Sequence, residues 1–255
     1  MINSQEESSS MRLSGKRVII TGGGTGIGKA ITQRFVEEGA KVLITGRRKD
    51  RLEEAVQGLA NAIVYPADLT SKEGPTQIVQ EAITQMGGVD ILVNNAGVFD
   101  AIPFSETSED IYDRQFETNV RGVYRLCQAA LPHLHGTRDA NIINIGSILS
   151  FIAIPGTSAY AAAKGAVAQI TRSLAVELGE AGIRCNCVCP GLVHTELTDF
   201  MVTDEEFVKT NIPAYPLGRF GTTVDIANAC VFLASEEAGW ITGVILPVDG
   251  GYTAR

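Results

Sequence analysis

The stretch RVIITGGGTGIGKA, residues 17–30, decides how the rest of the chain is read. It opens with a β-branched run suited to a strand buried on both faces. It then turns on glycines and continues with Ile27, Ile31 and Phe35 at helical spacing. A strand that passes through a glycine-rich turn into a helix offers free backbone N–H groups to an anion. Gly22, Gly26 and Gly28, with Thr25 and Ile27 beside them, would let the backbone approach a pyrophosphate closely. The spacing is G-x-x-x-G-x-G, not the more general G-x-G-x-x-G. A glycine turn alone also fits a plain flexible loop. The strand before it and the amphipathic helix after it point to a dinucleotide.

The same rhythm runs outward from this unit. Short apolar runs recur as KVLIT (41–45), AIVYP (62–66), DILVNN (90–95), NIINIGS (141–147), IRCNCVC (183–189) and GVILPVD (243–249). Between them lie helical spacings such as Ile78-Ala82-Ile83 and Val167-Ile170-Leu174-Leu178. Alternating strand and helix predicts an α/β fold: a Rossmann-like, doubly wound, mostly parallel sheet of seven strands with helices on both faces. No linker or solenoid repeat interrupts it. The expected organisation is a disordered tail over residues 1–11 and a single dinucleotide-binding catalytic domain over 12–255.

Composition narrows the partners. The formal net charge of −8 argues against a nucleic-acid surface. No apolar run approaches the ~20 residues of a membrane span. The start MINSQEESSSMRLSG lacks the apolar core of a secretion signal. Five cysteines, an odd number in a chain large enough to bury its own core, favour free thiols in a reducing compartment. A cytoplasmic location is the resulting expectation.

The second run ends ITGRRKD, with Gly46 where an acid would bind the ribose hydroxyl of NAD. Arg47 and Arg48 follow, and a guanidinium can meet a 2′-phosphate with charge-assisted hydrogen bonds. NADP is therefore the expected cofactor. NAD stays open, because both arginines could equally be solvated residues at a helix start.

Chemistry is expected after the fifth run. Tyr160 and Lys164 stand four apart in a predicted helix and so share a face. Ser147 ends the strand at the carboxyl edge, where open α/β sheets bind ligands. A phenol titrates near pH ~10, and an ammonium beside it would lower that value. The pair could then move a proton beside a nicotinamide.

These residues together resemble the short-chain dehydrogenase/reductase family, in its single-domain branch of about this length. The resemblance spans residues 12–255. It rests on Thr21-Gly22 with Gly26-Ile27-Gly28, Asp68-Leu69, Asn94-Asn95-Ala96-Gly97, Asn119, Ser147, Tyr160 with Lys164, Asn186, Pro190-Gly191 with Thr195, and the terminal Val248-Asp249-Gly250-Gly251. It implies an NAD(P)-dependent oxidoreductase interconverting a small-molecule ketone and a secondary alcohol. Tyr160 would be the acid-base group and Ser147 the hydrogen-bond partner of the substrate oxygen. Lys164 would bind the nicotinamide ribose and tune the tyrosine, and Asn119 would hold a water that relays protons. Asp68 would contact adenine and Leu69, Asn95, Ala96 and Gly97 would lie along the cofactor's path. Pro190, Gly191, Val193 and Thr195 would meet the nicotinamide end. A homo-oligomer, often a tetramer in such proteins, is also implied.

Finer features differ from the family's carrier-protein reductases, which present arginines for carrier docking. Pro132 and Val176 stand at those positions here, so reduction of a 3-oxoacyl thioester is the runner-up. Thr25 occupies a position where many NADP-preferring relatives carry a basic residue. A non-catalytic dinucleotide-binding regulator is the alternative of another class, and the intact Asn119-Ser147-Tyr160-Lys164 set argues against it. A sugar-nucleotide epimerase would also use the tyrosine-lysine pair, with a different glycine spacing and a longer substrate region.

The segment of about 192–218 reads as a substrate lid carrying Phe200, Met201 and Phe207. Ile148, Phe151, Ile154 and Leu192 suggest an apolar substrate or else pack beneath the loop. His194 reads as a polar loop residue rather than a second acid-base group. Cys185, Cys187 and Cys189 should share one face of a strand about 6.6 Å apart in succession, too spread for a zinc site, so no metal is expected. They read as packing around Asn186, Pro190 and Gly191, which the resemblance makes functional.

Overall fold

Each β-branched run becomes a strand: β1 Arg17–Thr21, β2 Lys41–Gly46, β3 Ala62–Pro66, β4 Ile91–Asn94, β5 Asn141–Ile145, β6 Arg184–Pro190 and β7 Ile245–Val248. The computed structural model describes residues 11–137 and 139–254, and the expected tail at 1–10 lies outside them. Met11, assigned to that tail, belongs with the fold. Its carbonyl accepts from Ser14 at 3.2 Å, and its sulfur lies where a side chain at Gly39 would project.

All six strand pairings are parallel, in the order β3-β2-β1-β4-β5-β6-β7. Strand order reverses between β1 and β4, so the crevice beyond their carboxyl ends is where a doubly wound sheet binds its ligand. Several runs end earlier than their composition suggests. β5 stops at Ile145 because the Ser147 hydroxyl accepts from Leu149 N at 3.1 Å and caps a tight turn over Ile148–Ser150.

The helices are α1 Gly26–Glu37, α2 Lys49–Ala55, α3 Gly74–Met86, α4 Glu109–Phe116, α5 Val123–Leu134, α6 Ser158–Leu178, α7 Asp199–Val202, α8 Glu205–Asn211 and α9 Thr223–Ala234. Strand alternation sorts the core. Val18, Ile20, Val42, Ile44, Ile91 and Val93 face α1 and α9, whereas Ile19, Leu43, Leu92 and Ile142 face α3, α5 and α6. Full burial of Ile31 and Phe35 on α1 contributes about 1.5–3 kcal/mol each. α9 is fixed at its start by a reciprocal cap between Thr222 and Asp225.

The buried stripe of α6 differs from the apolar spacing. Val167 and Leu178 are buried, but Lys164 and Thr171 share the stripe while Ile170 and Leu174 are only half-buried. Thr171 is satisfied by Val167 O at 2.8 Å and by Asn144 Nδ2 at 2.9 Å, so a polar chain runs through the sheet's second face. Among the described residues no helix is long and apolar enough to cross a membrane.

Candidate active site

The glycine turn is built by close approach. Gly22 has φ +65°, and a Cβ at Gly28 would sit 2.1 Å from Gly22 O and 2.5 Å from Asn95 Nδ2. The Asn95 amide donates to Thr21 O at 2.9 Å and Gly22 O at 3.1 Å, tying the turn after β4 to the glycine loop. Thr21 returns the tie by accepting from the backbone N–H groups of Asn95 and Ala96, both at 3.0 Å. The Asn95 side chain thus braces the glycine loop through its amide nitrogen.

Beyond this knot lies a cleft of about 490 Å³. Its walls carry the expected Gly22, Thr25, Arg47, Arg48, Asp68, Leu69, Ala96 and Gly97. Gly24, Thr45, Arg51, Val98 and Thr118, unanticipated from sequence, line it as well. Arg51 could have been found, since it stands three residues after Arg48 on α2. The Asp68 carboxyl is held below its ordinary value by hydrogen bonds from Thr70, helped by the nearby Arg47 charge. Thr45 has a buried hydroxyl without a hydrogen-bond partner. An anion cradle, a cationic rim and a polar wall with an unused hydroxyl fit a dinucleotide.

Gly26 and Ile27 are half-buried and Gly28 is buried at the start of α1. Gly26 faces Thr195, whose methyl would be 3.3 Å from a Cβ added there. Val193 is 3% exposed and packs in the core, where its segment pairs with Gly221. Gly191 is seated against Asp249 and Tyr215, and the Tyr215 hydroxyl accepts from Leu192 N at 3.2 Å. The segment from Pro190 to Val193 therefore sets the position of Thr195. The Val193 side chain points into the protein, so any approach of this residue to a cofactor would be through its backbone.

The four chemistry residues do converge. Lys164 is 5% exposed and donates to Ile145 O at 2.7 Å, with its nitrogen 5.6 Å from the centre of the Tyr160 ring. Asn119 and Lys164 flank Gly97, where a Cβ would be 2.8 Å from Asn119 Oδ1 and 3.7 Å from Lys164 Nζ. Asn119 sits in a π-helical turn, Glu117–Gly122, between α4 and α5. Such turns shift the backbone pairing by one residue and re-aim a side chain. Here the amide donates to Val98 O at 2.9 Å and accepts from Val98 N at 3.0 Å, so both of its ends are engaged.

Burial raises the Tyr160 phenol to about 12, against the opposing pull of Ser147. This reverses the expected direction: Lys164 lies over the ring and is bonded to Ile145, and burial lowers its own ammonium to about 8. Phe99, unanticipated from sequence, meets the Tyr160 ring edge-on at 4.9 Å and 79°. Ser150 fastens the turn after β5 to α6 by donating to Lys164 O at 2.9 Å.

The expected lid contains α7 and α8, so it is not an unstructured connection. Phe200 is 69% exposed, whereas Phe207 approaches Phe220 at 6.3 Å. Near the mouth, Ile148 is buried while Phe151 and Ile154 are exposed. His194 is exposed and bonded to Asp199 at 2.8 Å. All three strand cysteines face one side, with the Cys187 and Cys189 sulfurs 3.7 Å apart over Gly146. Among the described residues no group of three or more His, Cys, Asp or Glu could hold a metal. Asn186 is structural: it donates to Ile241 O at 2.9 Å and accepts from Val244 N at 3.1 Å.

Comparison with known proteins agrees with this geometry. A family model described as enoyl-(acyl carrier protein) reductase matches residues 22–253. The chain is 34% identical to the 3-oxoacyl-[acyl-carrier-protein] reductase FabG of Thermotoga maritima, over 94% of this chain and 99% of the relative. It is 36% identical to the 2-(R)-hydroxypropyl-CoM dehydrogenase of Xanthobacter autotrophicus, over 92% and 98% respectively. The crystal structure of gox2181 superposes with a TM-score of 0.92 at 32% identity, covering 96% of this chain and 98% of that one.

Proposed function

Since the chain belongs to the short-chain dehydrogenase/reductase family, we propose how its residues divide the work of an NAD(P)-dependent carbonyl/alcohol oxidoreductase. The carrying observation is the convergence of Ser147, Tyr160, Lys164 and Asn119 at the carboxyl edge of the sheet, beside the cationic cleft. The nicotinamide, when bound, supplies or accepts the hydride. In the direction of reduction, Tyr160 donates its phenolic proton to the substrate oxygen, to which Ser147 donates a hydrogen bond. A phenol held at about 12 is protonated at neutral pH and ready for that task. The buried Lys164 ammonium then stabilises the phenolate left behind. Asn119 holds Val98 and Gly97 in place, so any relay water would be bound by its backbone carbonyl in the π-helical turn.

The cleft favours NADP. Gly46 leaves the end of β2 without a carboxylate, and Arg47, Arg48 and Arg51 surround the space where a ribose 2′-phosphate would lie. Residues 192–218 are read as a lid, and the apolar Ile148, Phe151 and Ile154 suit a fairly apolar ketone or secondary alcohol. We take residues 12–255 as one catalytic domain that assembles as a homo-oligomer, a tetramer as the family resemblance implies, in the cytoplasm. Reduction of carrier-bound 3-oxoacyl thioesters is the second reading, favoured by the likeness to the Thermotoga reductase. The exposed Val176, where a docking arginine would stand, weighs against it.

Following nicotinamide absorbance with NADPH and NADH across aliphatic ketones, secondary alcohols and a 3-oxoacyl thioester tests this. Turnover of ketones with NADPH preferred is expected. Tight cofactor binding without turnover of any carbonyl would instead support a regulatory role.

A further inference from the structure

Arg51 joins two parts of the molecule that the proposed mechanism leaves separate. It lies on α2 and lines the cleft beside Arg47 and Arg48. Its backbone is fixed there by close packing, since a Cβ at Gly24 would come within 3.1 Å of the Arg51 carbonyl carbon. Its guanidinium pairs with Glu54 at 3.3 Å and reaches Glu196 at 3.8 Å. Glu196 follows Thr195 directly, at the root of the segment that carries α7 and α8, and Thr195 itself rests on Gly26. The glycine loop, α2 and the root of the lid thus meet at one point on the cleft's rim.

The Arg51–Glu196 contact is built to be exchanged. The two side chains are 39% and 60% exposed, and a long, solvated ion pair of this kind holds weakly. Glu54, the other partner, also has Lys29 at 3.8 Å and keeps a cation if Arg51 turns away. A phosphate dianion offers Arg51 a stronger, bidentate partner than the distant carboxylate does. Glu196, for its part, brings a carboxylate within 3.8 Å of a guanidinium that lines the cleft.

We propose that Arg51 is a third specificity residue for the cofactor's 2′-phosphate, and that Glu196 competes with the phosphate for it. Binding of the phosphorylated cofactor would then release the root of the lid from α2, whereas the unphosphorylated cofactor would leave the strap in place. This rests on the NADP reading above and extends it from the end of β2 to the loop after β6.

Equilibrium binding of NADPH and NADH to the purified enzyme, read by nicotinamide fluorescence, tests it without turnover. Arg51→Gln should weaken NADPH about tenfold and NADH less than twofold, with NADH binding serving as the control for folding. Glu196→Gln should tighten NADPH severalfold, leave NADH unchanged, and lose that gain when combined with Arg51→Gln. If Arg47→Asp shifts the NADPH/NADH ratio while Arg51→Gln does not, this inference is overturned and the NADP reading stands. If none of the arginine variants moves the ratio, both fail. Should Arg51→Gln not fold, an unchanged NADPH affinity in Glu196→Gln alone overturns the proposal.

Discussion

Lys164 donates its ammonium to the backbone oxygen of Ile145 at 2.7 Å, which pins a charged side chain to the last residue of β5 inside the protein. The bond explains how a lysine that is only 5% exposed is tolerated, but one neutral carbonyl does not replace full hydration. The ammonium is accordingly lowered from 10.5 to about 8 by burial. That drop corresponds to about 3 kcal/mol of destabilisation while the group is charged in both folded and unfolded chains.

Lys164→Met should therefore stabilise the protein and abolish activity together. The folded lysine binds its proton less readily than the unfolded one, so the native chain is penalised fully below about pH 8. Between about 8 and 10.5 the unfolded chain binds more protons, wild-type stability recovers, and the advantage of Met shrinks. Thermal melts of both proteins at pH 6, 8 and 10 would show this. A difference that grows with pH would contradict it.

Tyr160→Phe removes the phenolic proton and leaves the ring against Phe99. Carbonyl reduction should fall by roughly 10²–10⁴-fold, the usual contribution of a positioned acid. NADPH affinity should change less than threefold. Near-normal turnover would mean that the proton comes from another group.

Gly28→Ala should prevent the cradle from closing, because the added methyl would stand 2.1 Å from Gly22 O and 2.5 Å from the Asn95 amide. Both obstacles are held in place, one by the backbone and one by two hydrogen bonds. A loss of several kcal/mol in denaturant unfolding is expected. A stable variant that still binds cofactor would show that the loop can open without cost.

The strands were legible because parallel strands buried on both faces leave continuous β-branched runs, and all seven runs became strands. The chemistry residues were legible through spacing, since Tyr160 and Lys164 must share a helix face. Side-chain direction was not legible. Spacing does not reveal that the Asn95 amide turns back to the glycine loop or that the Val193 side chain enters the core. Phe99 and Arg51 were missed for a related reason: what they touch is brought near by the fold, not by sequence distance. The shift of Tyr160 was misjudged because spacing reveals the neighbouring lysine but not the burial that sets the direction.

The stretch IRCNCVCPG leads to the last expectation. The Cys187 and Cys189 sulfurs are buried 3.7 Å apart, and they occupy the space beside Gly146 just after β5. A Cβ at Gly146 would lie 2.7 Å from the first sulfur and 2.6 Å from the second. Gly146 precedes Ser147, so crowding here would push on the end of the site where Ser147 stands. Gly146→Ala should cost about 1–3 kcal/mol, the usual range for overpacking a core, and should lower activity. In a Cys187→Ala/Cys189→Ala background the same substitution should be nearly neutral, because the atoms it strikes are gone. A double-mutant cycle by urea unfolding measures the coupling. Additive losses would show that Gly146 is required for its backbone and not for the thiols, and the cysteines would then have no part in shaping the site.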